Sequence, residues 1–139
     1  MIREEPRTQV AHYNTVTKVT RITIPIAPIS INTLYSIYKG RKLITKSGRR
    51  WRDQVDPILA ALNLTYSEPV GIRVEVWPKA ARKFDVDNVS KAILDSLQRN
   101  GILEDDDLVY YLTLEKHDKH PAKPGGEIWV DIWPYAPRL

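Results

Sequence analysis

Four stretches of the chain alternate hydrophobic and polar residues with the period of two that is typical of β-strands. In chain order they cover residues 20–26, 70–76, 108–115 and 127–133. In the last of them, Ile128, Val130 and Ile132 fall on one face. We therefore expect about four strands.

Two helices are predicted between these strands. Between the first and second strands, apolar residues recur at helical spacing at Trp51, Val55, Ile58, Leu59 and Leu62. Pro57 lies inside this pattern and implies a kink or a restart of the helix. We expect Trp51 in the core.

The second helix, between strands two and three, has clearer limits. Asp87 or Asn88 can cap its start, and Asn100 with Gly101 supplies a left-handed stop. Its buried stripe is expected to comprise Val89, Ala92, Ile93, Ser96 and Leu97.

The order strand, helix, strand, helix, strand, strand predicts an α+β fold, with a mixed sheet of about four strands and two main helices packed on it. The chain has 139 residues, which suits one domain. Residues 1–16 are polar and lack periodicity, so they are expected to form an N-terminal extension to a single domain at 17–139. Residues 117–126 are expected to form a flexible loop.

Charge is unevenly distributed along the chain. The formal net charge is +4, but residues 39–52 alone carry seven basic side chains and no acid, so the remainder sums to -3. A basic segment beside a concentrated acidic one suggests that one part binds a polyanion and the other a metal ion. Taken alone, however, the basic segment is more often a solvated surface.

The chain contains no cysteine, which excludes disulfides and thiolate chemistry. It also has no apolar run near the ~20 residues that a membrane span requires, and its first residues do not resemble a signal peptide. We therefore expect a cytoplasmic protein without a membrane partner.

The strongest chemical signal is the motif Asp85-Val-Asp87-Asn88, followed by Lys91 and by the acidic run 104–107. On an extended segment Asp85 and Asp87 would point to one face, where two close carboxylates call for a cation. If the strands that flank the second helix are neighbours, the acidic run should approach this pair. Carboxylate oxygens with open water positions suit Mg²⁺, with Mn²⁺ as an alternative, and Lys91 could contact a phosphate.

Simpler interpretations stay open beside this one. Asp87 and Asn88 could be helix caps, and residues 104–107 a solvated turn. His117 and His120 are expected to be loop residues, since no further Cys or His completes a zinc site. An EF-hand loop that begins at Asp85 is excluded, because Ser90 and Ser96 stand where Gly and Glu are needed.

The motif from Asp85 to Leu97, together with Gly101-Ile-Leu-Glu-Asp-Asp106, resembles the signature of RusA-type Holliday junction resolvases. The segment 24–32, Ile-Pro-Ile-Ala-Pro-Ile-Ser-Ile-Asn, is similar to the Pro-Pro-Ser-x-Asn segment of that family. The resemblance covers about residues 20–133. The chain departs from the family pattern at Ile29, which replaces a proline. It departs again after the acidic pair, at Asp107 and Leu108, so the choice of the third acidic ligand among Asp105, Asp106 and Asp107 stays open.

The resemblance implies a homodimeric, Mg²⁺-dependent endonuclease of bacterial or phage origin that cuts four-way DNA junctions by paired nicks. By position, Asp85, Asp87 and Asp106 match the catalytic acids and metal ligands, Lys91 matches the catalytic lysine, and Asp105 is a further candidate ligand. The residues expected to contact DNA are Asn32, Lys39, Arg41, Lys42, Lys46, Arg49, Arg50, Lys79, Arg82 and Lys83. Alternatives are a catalytically silent junction-binding protein, a metal-dependent nuclease for flaps, forks or RNA, and a small-molecule phosphohydrolase.

Overall fold

The computed structural model describes residues 10–81 and 83–136, which form an α+β fold. In chain order the elements are β1 (Ala11–Tyr13), β2 (Thr20–Ile24), α1 (Ile31–Leu34), β3 (Tyr35–Tyr38), β4 (Arg41–Ile44), α2 (Lys46–Ala60), β5 (Val70–Trp77), α3 (Val86–Arg99), a 3₁₀ helix (Asp106–Leu108), β6 (Val109–Lys116) and β7 (Glu127–Pro134). The four expected strands correspond to β2, β5, β6 and β7. The predicted fold class is confirmed.

The main sheet has the strand order β1-β2-β7-β5-β6. β5 and β6 are parallel and are joined through α3, whereas the other neighbours are antiparallel. In this register Ile22 lies beside Val130, and Val130 beside Val74, so one row of apolar side chains crosses three strands. All three are fully buried, which places the core on this face of the sheet.

The helices α2 and α3 cover that face. Trp51, Val55 and Leu59 of α2 enter the same cluster of buried residues as the strand side chains. The indole N–H of Trp51 donates to the carbonyl of Ala27 at 2.9 Å, which satisfies the polar atom of an otherwise buried side chain. The expected apolar stripe of α3 is buried throughout, as predicted, with Ser96 satisfied by the carbonyl of Ala92.

Three strands were not predicted. β1 pairs with β2 and lies within the expected extension, and Val10 beside it packs against the core. Residues 1–9 lie outside the described part of the chain, so the extent of the extension stays a prediction. The strands β3 and β4 form a separate two-stranded hairpin, of which the turn and β4 lie in the basic segment. Most of its side chains are exposed, so it lacks the apolar alternation by which strands are recognised.

Two details of the helices differ from expectation. α2 continues through Pro57 and ends three residues later at Ala60, so the helix does not restart at the proline. The N-cap of α3 is Asp85, so the expected cap at Asp87 or Asn88 is wrong. Val86 packs against the core, and the helix therefore begins at this residue, before the two expected cap positions. The predicted stop is confirmed, with Asn100 as C-cap and Gly101 at φ +76°.

The loop from 117 to 126 contains turns and no regular element, as expected. Of the helices that the structure describes, none has both the length and the apolar character to span a membrane.

Candidate active site and basic surface

A cavity of about 580 Å³ opens beside the start of α3. Its wall includes Asn32 from α1, Lys79 and Lys83 from the segment after β5, and Asp85 at the helix N-cap. The fold therefore brings Asn32 to the three other residues that the sequence placed at the site, although it lies 47 to 53 positions before them in the chain. The two lysines can attract a phosphate, and the carboxylate can bind the metal ion that accompanies it.

The first turn of α3 carries the second acid of the motif. Asp85 has extended backbone angles (φ -91°, ψ 130°), but the helix begins at the next residue, so Asp87 is already helical. The expected alternation of the two side chains on an extended segment is therefore wrong. Both carboxylates are exposed at the positive end of the helix dipole, which stabilises negative charge. Lys91 is exposed one turn beyond Asp87 and faces the same side of the helix.

The acidic run at 104–107 lies around the 3₁₀ helix, and all four of its side chains are exposed. The backbone N–H of Asp107 donates to the Asp105 carboxylate at 3.1 Å, and this bond, with those involving Asp106, lowers the pKa of Asp105. The hydrogen bond with Asp105 raises the pKa of Asp106, aided by repulsion from Asp105, Asp107 and Asp95. The opposite directions of the two shifts follow from the hydrogen bonds within the run and from repulsion between its closely spaced like charges.

Within one chain, the acidic groups before and after α3 lie at opposite ends of the helix. Asp85 follows the end of β5, whereas the 3₁₀ helix leads into Val109, which pairs with Val70 at the start of β5. α3 has 14 residues and is therefore about 21 Å long. The strands that flank it are neighbours, as expected, but the helix carries the chain back to the starting edge of the sheet. The expected approach of the two groups does not occur inside a single protomer.

Another group of potential metal ligands lies on the sheet face opposite the helices. Oxygen and nitrogen atoms of Glu75, Glu115 and His117 lie within 4.8 Å of one another, the one such trio within the described ranges. His117 Nε2 is 3.1 Å from a carboxylate oxygen of each glutamate. Two carboxylates and an imidazole could hold a divalent metal ion.

The Glu75 trio also has counter-charges of its own. The Arg73 guanidinium lies 2.7 Å from Glu115 and 3.4 Å from Glu75, and these hydrogen-bonded carboxylates raise the pKa of Arg73. The imidazole of His117 stacks on Trp77 with ring centroids 4.3 Å apart. The trio was not predicted, because only the parallel register of β5 and β6 places Glu75 beside Glu115. The sequence feature that could have indicated this trio is a pair of acids that face away from the core on two predicted neighbouring strands.

The basic segment folds into two elements that meet at Thr45. Lys39, Arg41 and Lys42 belong to the β3–β4 hairpin, and all are exposed. The first two turns of α2 expose Lys46, Arg49 and Arg50. Six of the expected DNA contacts are thus exposed on these two adjacent elements. Arg82, expected to join Lys79 and Lys83, lies outside the described residues.

Comparison with known proteins identifies the family. The family model described as Endodeoxyribonuclease RusA matches residues 25–131, which contain the cavity, the acidic motif and the 3₁₀ helix. The chain belongs to the RusA family. This confirms the resemblance noted in the sequence.

Individual RusA proteins align with most of the chain. One from Shigella sonnei (strain Ss046) is 35% identical over 114 residues, covering 80% of this chain and 91% of that protein. Those from Escherichia coli (strain K12) and Enterobacteria phage 82 are each 34% identical over 114 residues. All three are named crossover junction endodeoxyribonucleases.

Proposed function

We propose that this protein is a crossover junction endodeoxyribonuclease that resolves four-way DNA junctions by paired, symmetric nicks during recombination and repair. The observation that carries the proposal is the family match over residues 25–131, which includes the acidic motif at the start of α3. The named relatives come from bacteria and a phage, so we place the activity in a bacterial cytoplasm.

The proposed metal ion is Mg²⁺, with Mn²⁺ as an alternative, held by Asp85, Asp87 and Asp106, with Asp105 as a further candidate ligand. These side chains fit a hard cation, because they are exposed carboxylates that leave room for water. When bound, the cation activates a water molecule for attack on the phosphodiester and neutralises charge that develops on the phosphate. The Glu75 trio fits this role less well, since the Arg73 guanidinium already lies within 3.4 Å of both its carboxylates.

We further propose that the active unit is a homodimer in which each site takes Asp85 and Asp87 from one protomer and Asp106 from its partner. The argument is geometric: these acids lie at opposite ends of α3, a helix about 21 Å long, so one ion cannot reach both groups within one chain. A second copy could bring its own 3₁₀ helix to the cavity beside Asp85. Two such sites related by symmetry would account for paired nicks.

The remaining side chains around the cavity have defined roles in this proposal. Lys91 projects from the same face of α3 as Asp87, where its ammonium can stabilise charge on the phosphate in the transition state. Lys79 and Lys83 hold the DNA backbone at the cavity wall, and Asn32 hydrogen-bonds to it. The exposed cations of the hairpin and α2 provide further contacts with phosphates. The affinity for DNA should therefore fall steeply as the salt concentration increases.

The test is cleavage of an end-labelled mobile four-way junction and of its matched linear duplex, each with Mg²⁺ and with EDTA. Paired nicks in the junction alone, and only with Mg²⁺, are expected. A tight complex with an intact junction would instead support a catalytically silent junction-binding protein. Cleavage of flaps, forks or RNA in preference to junctions would support a metal-dependent nuclease that acts on those substrates. Hydrolysis of small phosphate esters without any action on DNA would support a phosphohydrolase.

A further inference from the structure

The β3–β4 hairpin is a separate element that stands apart from the main sheet. Its two strands are joined by Lys39 and Gly40, which have positive φ angles of 50° and 72°. Two consecutive left-handed residues are the conformation of a type I′ turn, whose twist matches that of the paired strands. The tip is therefore a tight turn with a defined shape.

The base of the hairpin is fixed to the body of the protein. The side chains of Tyr35 and Ile44 pack against the core, and the hydroxyl of Thr45 donates to the carbonyl of Thr33 at 2.6 Å. α2 also approaches closely here, since a Cβ built on Gly48 would collide with the carbonyl oxygen of Leu34. The hairpin thus projects in a direction set by the core.

Towards the tip, apolar side chains emerge into solvent. Ile37 is 80% exposed, Tyr38 61% and Leu43 43%. By the antiparallel register, Ile37 shares one face with Lys42, while Tyr38 shares the other with Arg41. The projecting tip therefore presents an apolar side chain and a cation on each face.

The surrounding charge indicates the partner that these apolar groups contact. The exposed cations of the hairpin and of the first turns of α2 match a polyanion, but phosphates offer no surface to Ile37 or Tyr38. The apolar part of DNA is the face of a base pair, which stacking covers in a continuous duplex. At the centre of an open four-way junction, four duplex ends expose such faces. Apolar side chains can wedge against or between them, and aromatic rings can stack on them.

Resting on the proposed function, we infer that the β3–β4 hairpin is a wedge that enters the open centre of the four-way junction. Ile37 and Tyr38 cover the terminal base pairs there, while Lys39, Arg41 and Lys42 hold the phosphates that converge around it. In this arrangement the hairpin distinguishes a branched substrate from a continuous duplex, independently of the carboxylates that support cleavage.

The test uses a junction with 2-aminopurine at the branch point and a duplex of the same sequence, with Ca²⁺ in place of Mg²⁺ to prevent cutting. Wild-type protein should raise the 2-aminopurine fluorescence severalfold as the base unstacks. The double variant Ile37→Ser/Tyr38→Ala should lose this rise and bind the junction about tenfold more weakly, with duplex affinity changed less than twofold. Tyr38→Phe, which retains the ring, should restore most of the response in the presence of Ile37.

Val16→Ser is a matched control, because Val16 is 88% exposed and lies outside the basic segment. It should behave as wild type. A double variant that folds, binds junctions as tightly as wild type and still raises the fluorescence would overturn the wedge, while junction cleavage by the wild type would leave the proposed function intact. Failure of the wild type to prefer junctions over duplex would remove the proposed function and the wedge together.

Discussion

The two acidic regions of this protein differ in how many hydrogen-bonding and charged partners the fold provides for their carboxylates. Glu75 is 8% exposed, and its carboxylate lies 3.4 Å from the Arg73 guanidinium and 3.1 Å from His117 Nε2. Asp85 and Asp87 are exposed at the start of α3, and Asp85 makes no capping hydrogen bond. Carboxylates that are paired with cations within the fold stabilise the sheet. Exposed carboxylates beside the lysines of the cavity wall are available to a metal ion, and those lysines are available to a phosphate. We therefore propose that the Glu75 trio is a structural group and that Asp85 and Asp87 are the ones that bind the metal ion.

The largest effect is expected from Asp85→Asn. Loss of a ligand charge should reduce single-turnover cleavage of a four-way junction about 10³-fold, because the cation would be lost or misplaced. Junction binding should be retained or tightened, since less negative charge then faces the phosphates. Gel-shift and cleavage assays on the same preparation check both results, with Asp118→Asn as an exposed acid in a loop for the control. Full activity in the Asp85 variant would remove the metal assignment.

Lys91→Ala should have the next largest effect. Without an ammonium on this face of α3, the rate of the chemical step should fall about 10²-fold, with little change in junction affinity. Gln98→Ala, an exposed substitution on the same helix, provides the control. Single-turnover rates at saturating protein measure the difference. A wild-type rate in the Lys91 variant would show that its charge plays no part in the transition state.

Glu75→Gln tests the other side of the comparison. The substitution leaves Arg73 and His117 without one of their carboxylate partners in a buried position, so the free energy of unfolding should fall by about 2 kcal/mol. Glu115→Gln, whose side chain is 47% exposed, should cost less than about 1 kcal/mol. Urea denaturation measures both values. Mg²⁺-dependent cleavage should change less than twofold in either variant; its loss in a folded Glu75 variant would move the metal site to this trio.

The smallest effect concerns the ion pair between the helices α2 and α3. Partial burial acts to raise the pKa of Asp56, but hydrogen bonds from Arg99 and Asn100 outweigh it, so the pKa lies below the ordinary 3.8. A lowered folded-state pKa stabilises the protein above about pH 3.8, and this contribution is lost as the pH falls through the folded-state value.

Asp56→Asn should therefore lower the free energy of unfolding by about 1 kcal/mol or less at pH 7, because the pair is partly exposed. The difference from wild type should shrink below about pH 3.8. Denaturation curves between pH 7 and pH 3 follow it, with Asp53→Asn as an exposed control on the same helix. A difference that grows in acid would contradict the assigned direction.

Sequence patterns located the elements that bury a regular apolar face. The period of two marked β2, β5 and β7, and the helical period marked α2 and α3, because burial of one face imposes that periodicity. β6 was located by the same period at the edge of the sheet, although none of its side chains is fully buried. The hairpin and β1 lack it, since few of their side chains enter the core. Exposed strands of this kind depend on turn geometry and on pairing rather than on an apolar pattern.

The site was predictable in its chemistry but not in its arrangement. The motif around Asp85 could be recognised because a cation needs closely spaced oxygen ligands, and Asn32, Lys79 and Lys83 do meet Asp85 at one cavity. The position of Asp106 depends on the direction in which α3 returns the chain, which spacing alone does not specify. The Glu75 trio depends on strand register for the same reason.

The central claim, that the acids at the two ends of α3 form a site across two protomers, is tested most directly by mixing inactive variants. Asp85→Asn and Asp106→Asn proteins would be combined, allowed to exchange subunits, and incubated with Mg²⁺ and a supercoiled plasmid that extrudes a cruciform. If the site is shared, each mixed dimer contains one intact site and one doubly altered site, so nicked circles should form without linear plasmid. If each site lies within one protomer, both sites of the mixed dimer are altered. The plasmid would then remain supercoiled, which would contradict the account.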